Sequence, residues 1–140
     1  MLRFEAVAAR TVNEDQLRTL DVKIAAAKDR RGRSAVVALL VGTRGRGPDK
    51  TLATERLAAW SASAPADGLP LYLIGRQYFG AGQFEEAADR LDRALAARIE
   101  LPRAAVEAER LRMITACGLG DRDGAARHFQ RYVASAFVSD

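Results

Sequence analysis

The sequence predicts an all-α protein, and three observations carry that expectation. Apolar residues recur at three- and four-residue spacing along most of the chain. Helix-starting and helix-stopping residues bracket those periodic stretches. The apolar share is 49% but only 6% is aromatic, so Ala and Leu dominate, a balance that favours helices packed through small side chains over sheets. About seven helices in antiparallel succession are expected.

The first is expected over 14–31. Asn13 can cap it, Gln16 stands three residues on as in a capping box, and Val12 with Leu17 has the spacing of a hydrophobic staple. Glu14 and Asp15 suit the positive end of the helix dipole, and Lys28, Arg30 and Arg31 suit the negative end. Gly32 can end the helix, and Leu17, Leu20, Ile24 and Ala27 form its buried stripe. The run 35–41 reads as a helix, although its Val-Val-Ala-Leu-Leu-Val content also suits a buried strand. A Gly-Arg loop follows, then a helix over 48–63 with Pro48 in its first turn and Leu52, Leu57 and Trp60 as anchors. Residues 64–70, with two prolines and Asp67-Gly68, form a connection. Four more helices are expected over 71–81, 84–97, 103–117 and 123–137, with short connections that imply antiparallel neighbours.

Composition excludes several function classes. The single cysteine, Cys117, allows no intrachain disulfide and no cysteine-based metal cluster. The opening MLRFEAVAAR carries Arg3, Glu5 and Arg10 and lacks the apolar core of a secretory leader. The longest uncharged apolar run, 35–41, falls far below the roughly 20 residues that span a bilayer. A cytoplasmic location with no membrane partner is therefore expected. Net charge is +4, and residues 1–50 hold 11 of the 22 basic but only 6 of the 18 acidic side chains. The excess positive charge thus lies in the first third, densest from Lys28 to Lys50.

The segment LYLIGRQYFGAGQFEEAADRLDRAL, residues 71–95, places Leu71, Ile74-Gly75, Tyr78, Gly82, Ala87, Leu91 and Ala94 at set intervals. In this it resembles a tetratricopeptide repeat. Gly75 and Ala87 are small where paired helices would cross, Tyr78 and Leu91 would fill the space beside them, and Gly82 would permit the turn. About 34 residues earlier, one repeat length, a degenerate copy runs through Val37, Leu40, Val41, Ala53, Leu57 and Trp60. A 38-residue step forward aligns Gly120, Ala125 and Phe129 with Gly82, Ala87 and Leu91. The resemblance implies one domain over 1–140: a leading helix at 14–31, a degenerate repeat at 34–65, the best repeat at 68–101 and a C-terminal repeat at 102–138. Such pairs would stack as a short right-handed solenoid, in which about three repeats suffice to bury a core.

The resemblance further implies a non-enzymatic module, adaptor or chaperone-like, that holds a peptide or partner domain in a helical groove. On the best repeat, Leu71, Ile74, Gly75 and Tyr78 would face inward. Tyr72, Arg76 and Phe79 then share the other side, and Arg110 of the next repeat comes level with Tyr72. These four are the expected partner-binding residues, suited to a peptide with apolar side chains and a carboxylate. Some family members grip a terminal carboxylate there with a Lys and an Asn, and Tyr72 and Arg76 in those places depart from that clamp.

No catalytic residue, metal site or cofactor is expected. Gly42, Gly45, Gly47, Lys50 and Thr51 echo a phosphate-binding loop, but Pro48 and Asp49 separate the last glycine from the lysine. His128 has no catalytic neighbour at a recognisable spacing, and Cys117 suits a small core position. The alternative function is binding of nucleic acid or another polyanion through the 28–50 region, with Arg31, Arg33, Arg44 and Arg46 as anion contacts. Against single strands, no aromatic residue lies between Phe4 and Trp60 to stack on bases.

Overall fold

The computed structural model describes residues 2–41 and 47–138, with side chains over 12–41 and 47–137. Those residues form seven helices and no strand: α1 (Leu2–Ala25), α2 (Arg30–Val41), α3 (Lys50–Ser63), α4 (Leu69–Gly80), α5 (Phe84–Ala97), α6 (Pro102–Gly118) and α7 (Arg122–Val138). The ambiguous run 35–41 is helical. None of these helices is long and apolar enough to cross a membrane. The chain divides into two compact units, Met1–Arg56 and Leu57–Asp140, with the boundary inside α3.

In the first unit α1 packs on α2, burying Leu17, Leu20, Ala27 and Val36. The helix expected over 14–31 is corrected. α1 starts earlier and ends at Ala25, and 26–29 form a turn before α2. The cap residue at work is Asp29, whose Oδ1 accepts from the Gly32 N–H at 2.8 Å, so Gly32 lies in the first turn of a helix and does not terminate one. Asn13 lies within α1, where its Oδ1 accepts from the Asp49 N–H at 2.8 Å. Val12 is 56% exposed, so no staple closes over it. Asp49 caps α3 through the Leu52 N–H at 3.0 Å, which leaves the buried Pro48 just outside that helix.

The second unit is built from helix pairs. Residues 81–83 link α4 to α5 and residues 119–121 link α6 to α7, so each pair runs antiparallel. α6 packs on α4 and α5, and α7 packs on α6. Gly82 and Gly120 hold the two turns at φ of +75° and +74°, a conformation open to glycine because it has no Cβ. A Cβ on Gly75 would come within 3.0 Å of Leu91 Cγ and 3.3 Å of Arg90 Cβ, so α4 and α5 cross closely at this point. Leu69, Ala87, Leu91, Ala94 and Ala108 are fully buried.

The register expected for α7 is also corrected. Its buried residues are Gly124 and His128, while Ala125 is half-buried and Phe129 is 53% exposed. Cys117, expected in the core, is exposed.

Candidate functional site

Two surfaces of the second unit concentrate functional chemistry. The first joins α4 to α6. Tyr72 donates its hydroxyl hydrogen to Glu107 Oε1 at 2.6 Å, and Arg76 Nε donates to the same oxygen at 2.7 Å. Burial raises the Glu107 carboxyl, but the bonds from Tyr72 and Arg76 and the charges of Arg76 and Arg110 outweigh it, so Glu107 stays below its ordinary range. Burial, then the bond to Glu107, pushes the Tyr72 phenol well above its usual value, so it remains a donor.

This junction corrects the expected orientation of Tyr72. The residue is 2% exposed, because α4 is buried on both the α5 and α6 sides, and its hydroxyl joins two helices of the same chain. Arg76 bonds Glu107 and the charge of Arg110 bears on the same carboxylate, with Arg76 half-buried and Arg110 exposed. Phe79 lies apart, its ring 5.8 Å from that of Phe84. Glu107 escaped sequence reasoning although it flanks the buried positions Ala104, Ala108 and Leu111 of α6. A carboxylate beside that stripe is the signal that a partner cation waits on a neighbouring helix.

The second surface is a cleft of about 670 Å³, within the size range of ligand-holding sites. Ala58, Ser61 and Ala62 of α3 line one side. Leu71 and Ile74 of α4, themselves buried, line its base. Arg90, Arg93 and Ala97 of α5 line the other side. Both arginines approach one carboxylate: Arg90 Nη1 donates to Asp89 Oδ2 at 2.5 Å, and Arg93 lies 3.8 Å from the same group. The Arg90 guanidinium also sits 5.6 Å from the centre of the Tyr78 ring. Sequence reasoning did not assemble the cleft, since its lining comes from three helices with no shared motif.

Elsewhere in this unit, Arg112 of α6 is 12% exposed and bonds Asp92 of α5 at 2.7 Å. His128 of α7 is 5% exposed. Burial, then the nearby Arg112 charge, lowers its pKa. In the first unit Arg31 is exposed and Arg33 half-buried, whereas Arg44 and Arg46 lie outside the described residues. Comparison with protein-family models, with curated proteins and with solved structures gives no match.

Proposed function

We propose that the chain is a non-enzymatic protein-interaction module whose helix pairs stack in the manner of tetratricopeptide repeats and whose docking groove is the α3–α4–α5 cleft. The observation that carries this reading is the cleft itself, with apolar residues at its base and two guanidinium groups on one rim. Apolar surface supplies binding free energy, and arginine is among the residues that most often dominate it at protein interfaces. The close crossing at Gly75 and the matched turns at Gly82 and Gly120 support the repeat-like arrangement.

The test is selection of peptides from a random library, followed by amide chemical-shift mapping on the intact protein. Shifts centred on Ala58, Ala62, Arg93 and Ala97 are expected. Shifts centred on Arg76, Phe79 and Arg110 would move the groove to the α4–α6 face, and a library that yields no binder would sink the reading.

A second reading has its own observation. Lys28, Arg30 and Arg31 are all exposed where α1 turns into α2, and the first turn of α2 holds no acid. The Asp29 cap supplies one negative charge here against these three cations, whose excess opposes the helix dipole and suits a further anion. Polyanion binding here would weaken steeply with salt. Unchanged affinity for a DNA duplex from about 50 to 200 mM salt would discard it.

A further inference from the structure

Resting on the docking reading of the cleft, we infer that its occupant is a partner helix bearing two carboxylates one turn apart on the face turned toward α5. The backbone around the cleft decides against an extended segment. Most of its lining residues belong to α3, α4 and α5, whose interior N–H and C=O groups are already paired within their own helices. A strand pressed against them would bury N–H and C=O groups with no partners, and each such group carries a desolvation penalty. A helix brings its backbone hydrogen bonds with it.

Side-chain size points the same way. Ala58, Ser61 and Ala62 recur at three- and four-residue spacing on α3, and Ala97 lies on the α5 side. Side chains this short let another helix axis approach to about 8–10 Å.

Charge then selects the sequence of that helix. Arg90 and Arg93 stand one turn apart on the same rim, the spacing at which two acids at i and i+3 or i+4 of an adjacent helix meet them. Among the described residues the acid that both reach is Asp89, so two guanidinium groups share one carboxylate and the rim keeps a net positive charge. Each guanidinium has five N–H donors. Arg93 remains 57% exposed and so accessible to a partner's carboxylate, while Arg90 is braced by the Tyr78 ring and loses little side-chain freedom on binding.

The experiment uses three synthetic peptides of about four helical turns, each with a Leu/Ala stripe. One carries two Glu one turn apart, its twin has Gln in their place, and a third keeps the Glu pair but has a central Pro. Binding is read by fluorescence anisotropy against the parent protein, Arg93→Glu and Ala62→Arg. The Glu peptide is expected to bind the parent about tenfold more tightly than the Gln twin, as two partly exposed ion pairs allow. The Pro peptide should lose binding, and Arg93→Glu should abolish the preference for Glu. Ala62→Arg should block every peptide although it adds positive charge, because its bulk fills the cleft. Equal binding of the Glu, Gln and Pro peptides, all lost in Ala62→Arg, would overturn the acidic-helix inference and leave the docking reading standing. No binding of any peptide up to about 1 mM, or Glu-peptide binding that ignores Ala62→Arg, would overturn both.

Discussion

Helices α5 and α7 follow the same kind of turn, with glycines 38 residues apart at nearly the same positive φ, yet they bury different faces. α5 packs against α4 and α6 and hides Ala87, Ala88, Leu91 and Ala94. α7 packs against α6 and hides Gly124 and His128, leaving Phe129 half-exposed. A turn is set by a few local residues, whereas burial is set by what lies on each side of the helix. The aligned positions Leu91 and Phe129 are therefore not equivalent in energy, although both are large and apolar.

The largest expected difference follows directly. Leu91→Ala should destabilise the protein by about 2–5 kcal/mol, through lost burial and the cavity left behind. Phe129→Ala should stay within about 0.5 kcal/mol, as exposed substitutions do. Urea unfolding of both variants checks this, and similar losses would mean that α7 is covered as fully as α5.

Next is overpacking. Ala87→Leu, and Gly75→Leu at the crossing with Leu91, should each cost about 1–3 kcal/mol, while Ala125→Leu should cost less than half as much. Equal penalties at Ala87 and Ala125 would restore the equivalence that the sequence suggests.

The turns provide a control in which the two pairs should behave alike. A Cβ at Gly82 or Gly120 would meet nothing within 4 Å, so only the left-handed backbone opposes Gly82→Ala and Gly120→Ala. Each should cost about 1–2 kcal/mol. Unequal losses would show that one turn depends on more than its own backbone.

The smallest expected effect is a pH dependence special to α7. Burial, then the charge of Arg112, holds the His128 pKa below its ordinary 6.5, with Asp92 opposing. The unfolded chain therefore takes up that proton first, so the stability from neutral His128 is present above pH 6.5 and is lost as pH falls below it. Glu109, raised by burial, acts in the opposite sense: its contribution is present below its ordinary 4.5 and is lost as pH rises through its elevated value. Comparing the parent with His128→Gln isolates the histidine. The variant should lose less melting temperature between about pH 7.5 and 5, and parallel curves would show that the His128 pKa is the same in the folded and unfolded chains.

Local signals were enough wherever one candidate stood unopposed. The helix expected over 84–97 forms as Phe84–Ala97, because the Gly82 turn before it and the apolar period of Ala87, Leu91 and Ala94 agree. In the first unit the capping pattern at Asn13 was misleading, because Asn13 lies inside α1 and the cap that forms is Asp29, at the start of α2. Asn13 Oδ1 instead accepts from the Asp49 N–H, 36 residues away, a partner outside its own helix that local rules do not see.

The candidate site was legible only in fragments. Tyr72 and Arg76 do gather, but around Glu107, which is 35 residues from Tyr72, with Arg110 acting on it by charge alone. Arg90 and Arg93 reach the cleft together with residues of α3 that carry no motif.

By itself the sequence determined the helical class, the positions of most helices and the two glycine turns, because capping, periodicity and backbone freedom act within a few residues. The tertiary structure alone decided that Tyr72 is enclosed, that Phe129 is exposed and that two arginines border an apolar cleft, because desolvation and ion pairing depend on which helices become neighbours in space.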